Sequence, residues 1–341
     1  MRETSSAPAS PTSLPRVFSF LEHRNAWLAA ALGTAAMVAF FVLTLDAATL
    51  RAAWQQMTPR LFFVTAMLIS INALLDGWWL STITLAPKRH AYRVVAWHMM
   101  LSSVLPARLG DLGWMYLMHT WLAQPAARAV FVTLYHRLQD FIVVSLMLVL
   151  SLVIARTHIG GTPVLVAAVL VLAVMAAVST HLGQLLGVLA ALLLRLHRRF
   201  HRHWLRAALG HVLRIRIWYR HRLRREQMLL SFFIIVLRWV TILAAVAIVI
   251  HTLAMHIAPG DSFLLANAYV YFGIVPVQSV GGFGTGEAGL AWMLTHYGVP
   301  LAKASALGLL LRLLINLVHV VLWALVLGLL WLRGDGLRHG A

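Results

Sequence analysis

Cysteine is absent from all 341 residues, so disulfides and thiolate chemistry play no part. Charge is scarce: Asp, Glu, Lys and Arg make up 11%, against about 25% in soluble globular domains. Acids are scarcer still, with 10 Asp and Glu facing 28 Lys and Arg. A surface so poor in charge cannot be mostly wetted by water. The strand-like alternation over about 10 residues that marks a membrane barrel is also missing. What abounds is apolar side chain, 61% of the chain. Residues 27–45 carry no charge, 163–194 carry a single His, and 239–255 carry no acid and no Arg. About 20 such residues cross the hydrocarbon core as a helix, which satisfies its own backbone groups. The sequence therefore predicts an all-α, polytopic integral membrane protein.

Residues 1–25 differ from the rest. The stretch SSAPASPTSLP is small, polar and Pro-rich, the composition of a disordered tail. The apolar run behind it starts too late and is too long for a signal peptide. A single transmembrane domain is expected over 26–333, followed by a short tail at 334–341. Spans are predicted at 27–45, 60–80, 128–155, 163–194, 228–257 and 303–332. Two further stretches, 93–120 and 264–298, are long enough to cross but are broken in the middle. Pro106, Gly110, Asp111 and Gly113 interrupt the first; Pro276, Gly281, Gly282, Gly284, Gly286 and Glu287 interrupt the second.

Positive charge arbitrates between crossing and returning, because Lys and Arg concentrate on the cytoplasmic side. Residues 195–225 hold eleven Arg and no acid. If both broken stretches cross once and the N-terminus is inside, that run falls outside. If both return to their own side, it falls in the cytoplasm, together with Lys88, Arg89, Arg93 and both termini. The expectation is six full spans plus two re-entrant hairpins. Anionic headgroups suit the basic loop better than nucleic acid, since it adjoins a span. Trp204, Leu205, Leu209, Leu213, Trp218 and Tyr219 could seat it in the interface as an amphipathic helix.

The two broken stretches are related. Gly110-Asp111-x-Gly113 matches Gly286-Glu287-x-Gly289, Pro125-Ala126-Ala127-Arg128-Ala129 matches Pro300-Leu301-Ala302-Lys303-Ala304, and Arg137-Leu138 matches Arg312-Leu313. Three blocks in one order at near-constant spacing define repeat halves of about 27–160 and 163–333. With one hairpin entering from each side, the halves are inverted copies, an architecture of transporters with broken helices at the midplane. Tight helix packing through small residues also accounts for the glycines, but not for the carboxylates.

Ionisable groups at bilayer depth cost at least about 2.5–3.5 kcal/mol each and so are functional candidates. The acids are Asp76, Asp111, Asp140 and Glu287; the arginines are Arg108, Arg137, Arg238 and Arg312. Arg108–Asp111 and Arg137–Asp140 are three residues apart, which places each pair on one helix face. Asp76, before Gly77-Trp78-Trp79, reads as an interfacial cap. Arg238 either snorkels or lines a cavity. The segment from Gly281 to Glu287 is glycine-rich, but no Gly-Lys-Ser/Thr follows, so it is no nucleotide loop. Its backbone N–H groups could still hold a phosphate oxygen. No Cys, His or Asp cluster has metal-ligand spacing. Ser279 has no base nearby in sequence, and no catalytic residue is expected.

These motifs together resemble the flippase-like transmembrane domain of lysylphosphatidylglycerol synthases and of stand-alone bacterial and archaeal proteins. Pro106-x-Arg108-Leu109-Gly110-Asp111 is similar to the family's Pro-x-Arg-x-Gly-Glu. Arg137-Leu138-x-Asp140 is similar to its Glu-Arg-x-x-Asp, and Gly281-Gly282-x-Gly284-x-x-Glu287 with Arg312 to its Gly-Gly-x-Gly-x-x-Glu…Arg. Asp111 stands where Glu is usual, Trp114 and Gly286 where Arg is frequent, and His136 where Glu precedes the Arg. The resemblance implies translocation of a phospholipid or polyprenyl-phosphate-type lipid without synthesis or cofactor, in the cytoplasmic (inner) membrane. A homodimer is admissible and nucleic acid is not expected. Substrate-binding residues would be Arg108, Gly110, Asp111, Arg137, Asp140, Gly281, Gly282, Gly284, Glu287 and Arg312. The competing readings are an intramembrane transferase, or a non-catalytic membrane partner of a lipid-modifying or glycosylating enzyme.

Overall fold

The computed structural model describes residues 47–104, 109–155, 181–222, 225–254, 257–274 and 284–332, with isolated positions between 166 and 177. The predicted span 27–45, both tails, much of the predicted span 163–194, and Pro106, Arg108, Pro276, Ser279, Gly281 and Gly282 lie outside the described residues. In chain order the helices are α1 (Ala47–Gln55), α2 (Pro59–Thr84), α3 (Lys88–Val104), α4 (Leu109–Trp121), α5 (Ala126–Ala155) and α6 (Leu182–Phe200). They continue as α7 (His203–Arg222), α8 (Arg225–Leu253), α9 (Pro259–Ile274), α10 (Thr285–His296) and α11 (Leu301–Leu332).

Among the described residues, four helices are long and apolar enough to cross a membrane: Pro59–Thr84, Ala126–Ala155, Glu226–Leu253 and Leu301–Leu329. They match the spans predicted at 60–80, 128–155, 228–257 and 303–332. At 26 to 32 residues each exceeds the roughly 20 needed. The start of α2 shows how local chemistry sets a boundary. The Thr58 side chain accepts from the Leu61 N–H at 3.2 Å, and Pro59 takes the first helical position, where no partner for its missing N–H is needed.

Each broken stretch forms two short helices packed antiparallel. In the first, Arg93 stacks over Trp121 at 4.5 Å, and His98 meets Trp114 edge-on at 4.2 Å. Deeper in the pair, Gly110 of α4 abuts Ser102 of α3. In the second, the Tyr297 hydroxyl, just past α10, donates to Asp261 Oδ1 of α9 at 3.1 Å. Further along, Thr285 Oγ1 donates to the Phe272 carbonyl at 2.6 Å.

The two hairpins open at opposite ends of α5. Arg128, at its start, donates to the carbonyl of Thr84, the last residue of α2, at 3.2 Å. The bases of α3 and α4 are joined to those same ends by short connections. At the other end of α5, a Cβ on Gly260 would lie 3.4 Å from Ala155 Cα, so α9 begins there. The order long, medium, short, long recurs, α2–α5 and then α8–α11, with lengths of 26, 17, 13 and 30 residues against 29, 16, 12 and 32. The halves also exchange partners. In α3, Trp97 packs on Trp323 of α11 at 5.4 Å and Ser103 Oγ lies 3.3 Å from His319 Nδ1, while α9 packs on α5. The long helices α2 and α8 form the central pair, joined by the Asn72 amide donating to the Arg238 carbonyl at 2.9 Å.

The basic stretch, read from sequence as a loop that could lie in the interface as an amphipathic helix, is largely helical. Its residues end α6 and form α7, which fold back on each other: Tyr219 faces Gly183 and Arg216 faces Gly187. The reason is composition, because Leu, Arg and Ala are strong helix formers whatever their charge. Leu205 is buried and Tyr219 packs on Phe131 of α5, while Trp204 is exposed.

Candidate functional site

Asp111 is the third residue of α4 and Glu287 the third of α10. At that position a carboxylate faces free N–H groups and the positive end of the helix. The Gly284 N–H donates to Glu287 Oε2 at 2.7 Å, the half of a capping box that a glycine can complete. Arg137 and Arg312 each lie eleven residues past the first residue of α5 and α11. Repeat symmetry thus yields two equivalent ion pairs. Arg137 Nε donates to Asp111 Oδ2 at 3.2 Å, and its Nη2 engages Oδ1. Arg312 Nε donates to Glu287 Oε1 at 2.7 Å, which also accepts from the Tyr269 hydroxyl at 2.9 Å.

The network is denser in the first half. Arg137 Nη1 donates to Asp140 Oδ2 at 3.2 Å, the pair expected from helical spacing. Asp140 Oδ1 accepts from Trp239 Nε1 at 2.9 Å and from Arg238 Nη2. Arg238 also approaches Asp76, with Nε 3.4 Å from Oδ1. Between the two carboxylates sits His136, 3.3 Å from Asp76 Oδ1 and 3.4 Å from Asp140 Oδ2. His98 lies 3.9 Å from Asp111 Oδ1, and its Nδ1 is 3.1 Å from the Gly110 carbonyl. The run Asp111–Arg137–Asp140–Arg238–Asp76 alternates in sign, which offsets the cost of burying each charge.

Asp76 corrects the sequence reading. It is buried inside the bundle and bound to Arg238 and His136, not capping an interface. The following Trp79 is buried too, its indole N–H donating to Gln139 Oε1 at 2.8 Å. Arg238 lines the cavity and does not snorkel. Asp111, expected with Arg108, is held by Arg137; Arg108 itself lies outside the described residues. His98, His136, Tyr269 and Trp239 were missed, and only the coincidence of an acid, a His and an Arg at bilayer depth could have flagged them. At a position where the resemblance implies Arg, Trp114 is buried beside His98 and His136. A Cβ on Gly286 would lie 3.1 Å from the Tyr269 carbonyl, so a large side chain has no room there.

Arg137, Arg238 and Arg312 all line one cavity of about 260 Å³, with Asn72, Asp140, Trp239, Tyr269 and His319 among the other walls. At 1.5 Å per residue, Arg137 and Arg312 lie about 17 Å along their helices. Those helices begin at opposite ends of the molecule, so both guanidinium groups reach the one cavity from the middle part of the helical bundle. Arg137 is the most open, its side chain 30% exposed against 17% for Arg312 and 10% for Arg238. Among the described residues, no set of three His, Asp or Glu side chains is disposed to hold a metal ion.

The architecture is that of a multi-pass helical membrane protein whose ionisable groups converge on an internal cavity. The chain belongs to the family described as the lysylphosphatidylglycerol synthase TM region, whose profile matches residues 27–323. Membership gives it a membrane, lipid-related role. No curated protein and no solved structure matches the chain.

Proposed function

We propose that the protein is a lipid transporter that passes an anionic, phosphate-bearing headgroup through the cavity between the two halves. The observation that carries this reading is the convergence of Arg137, Arg238 and Arg312, from α5, α8 and α11, on one cavity. A guanidinium offers two parallel N–H bonds to a phosphate as readily as to a carboxylate. In the resting arrangement Asp111, Asp140 and Glu287 occupy those donors. An entering phosphate takes over part of each fork. The carboxylate released then meets a headgroup amine or a coupling proton, so net charge in the low-dielectric cavity stays small. Acyl tails remain in the bilayer, which avoids most of their transfer cost.

In this reading α3–α4 and α9–α10 are re-entrant hairpins that enter the membrane from opposite faces. Their opening at opposite ends of α5 supports it. The basic α6–α7 pair and the termini lie in the cytoplasm by charge bias, and the membrane is the cytoplasmic one.

The test is reconstitution into liposomes with headgroup-accessibility assays on a panel of lipids. Wild-type protein should move unchanged lipid between leaflets. Glu287→Gln and Arg312→Ala should insert but lose transport by at least about tenfold, since each unmakes a charge-assisted bond. A chemically new lipid product would favour a transferase, and normal transport by both variants would reduce the charges to insertion scaffolding.

A further inference from the structure

A second cavity, of about 490 Å³, lies where α7 crosses the start of α5. It shares no lining residue with the transport cavity. Pro125, Ala126 and Ile215 give it an apolar floor, and Arg128, His211 and Arg214 line it as well. Arg128 Nη2 donates to the Thr84 carbonyl at 3.2 Å, and the exposed Arg214 places its Nη2 3.2 Å from His211 Nδ1. The chain has no acid at 77–110, 112–139 or 141–225. The end of α2, the ends of α3 and α4, the start of α5 and all of α6 and α7 therefore bring no carboxylate to this place. The positive end of a 30-residue helix adds to the same field.

Depth identifies the anion that suits this place. Arg128 is the third residue of one spanning helix and touches the last residue of another. The cavity thus sits at the level where hydrocarbon gives way to headgroups. Phospholipid phosphate is the anion concentrated there, and basic pockets between helices at this level bind it. We infer that the cavity binds the phosphate ester of an anionic phospholipid, with Arg128 and Arg214 flanking the phosphate and the first methylenes of a chain on the apolar floor. The bound lipid joins α7 to α5 and thereby fixes the basic helical pair on the transmembrane core. The inference does not depend on the transport reading.

The experiment uses the full chain in detergent and follows binding through the shift in Tm. A ligand of the folded state raises Tm in proportion to the logarithm of one plus the ratio of free ligand to Kd, from which Kd is fitted. Short-chain phosphatidylglycerol, short-chain phosphatidylcholine and inorganic phosphate are titrated in turn. Phosphatidylglycerol should raise Tm at the lowest concentration, while the other two should bind roughly tenfold more weakly or worse. Arg128→Gln/Arg214→Gln should weaken phosphatidylglycerol by roughly tenfold or more. Arg199→Gln/Arg206→Gln, which removes the same charge from exposed sites outside the cavity, should change it by less than about twofold. Equal loss in both variants would show diffuse surface charge and overturn the site. Inorganic phosphate binding as tightly as the lipid would overturn the lipid assignment. If the first double variant does not fold, Arg214→Gln alone decides, because that side chain is exposed; undiminished affinity there sinks the proposal.

Discussion

Asp140 is the residue on which the charge network turns. It receives Arg137 from its own helix, Arg238 and Trp239 from α8, and lies beside His136. Removing its charge by Asp140→Asn leaves two guanidinium groups under-compensated inside the protein. Such a loss costs about 3–5 kcal/mol, so a clear fall in Tm in detergent is expected. Asp111→Asn, whose side chain is 22% exposed, should cost less stability while still impairing transport; equal Tm losses would show that burial does not set the cost. Part of this network was legible beforehand. Arg137 and Asp140 are three residues apart, and helical spacing alone pairs them. Asp76 was misread because its neighbours Gly77, Trp78 and Trp79 look like an interfacial belt, whereas its partner Arg238 is 162 residues away. Long-range ion pairs leave no periodic trace in sequence, so only the fold could join them.

At the scale of elements, the hairpins are held close by glycines whose neighbours differ in kind. A Cβ on Gly110 would lie 2.8 Å from Ser102 Cα and 2.9 Å from its backbone N, and backbone cannot step aside without moving α3. A Cβ on Gly113 would lie 2.6 Å from Leu101 Cδ1, the end of a flexible side chain. Gly110→Ala should therefore destabilise by about 1–3 kcal/mol. Gly113→Ala should cost less than about 1 kcal/mol, as repacking by rotamer change allows. Thermal unfolding of the two variants side by side checks the order, and the reverse order would mean that α3 and α4 are not clamped at Gly110. The breaks between these helices were readable because Pro, Gly and a carboxylate cannot all sit inside an ordinary span. The helicity of the basic run was readable too, from its apolar and aromatic side chains, but its fold-back onto α6 was not, because the contacts of Gly183 and Gly187 with Tyr219 and Arg216 leave no local pattern.

For the molecule as a whole, the arrangement of hairpins makes a statement about sides. The base of α3–α4 lies with the start of α5 and with α7, while the base of α9–α10 lies with the end of α5. Helix α5 has 30 residues, about 45 Å, enough to separate these places by a whole bilayer. The absence of cysteine makes the separation measurable with an impermeant thiol reagent. Gly210→Cys suits one side, since a Cβ there meets nothing within 4 Å. His296→Cys suits the other, because the side chain is exposed at the end of α10. In intact cells, position 296 should label and position 210 should not; after permeabilisation both should. Labelling of both from outside would place the eleven-Arg segment against the charge bias and undo the inverted arrangement. Labelling of 210 alone would keep the inversion but turn the whole molecule over, with α6 and α7 outside and the base of α9–α10 in the cytoplasm.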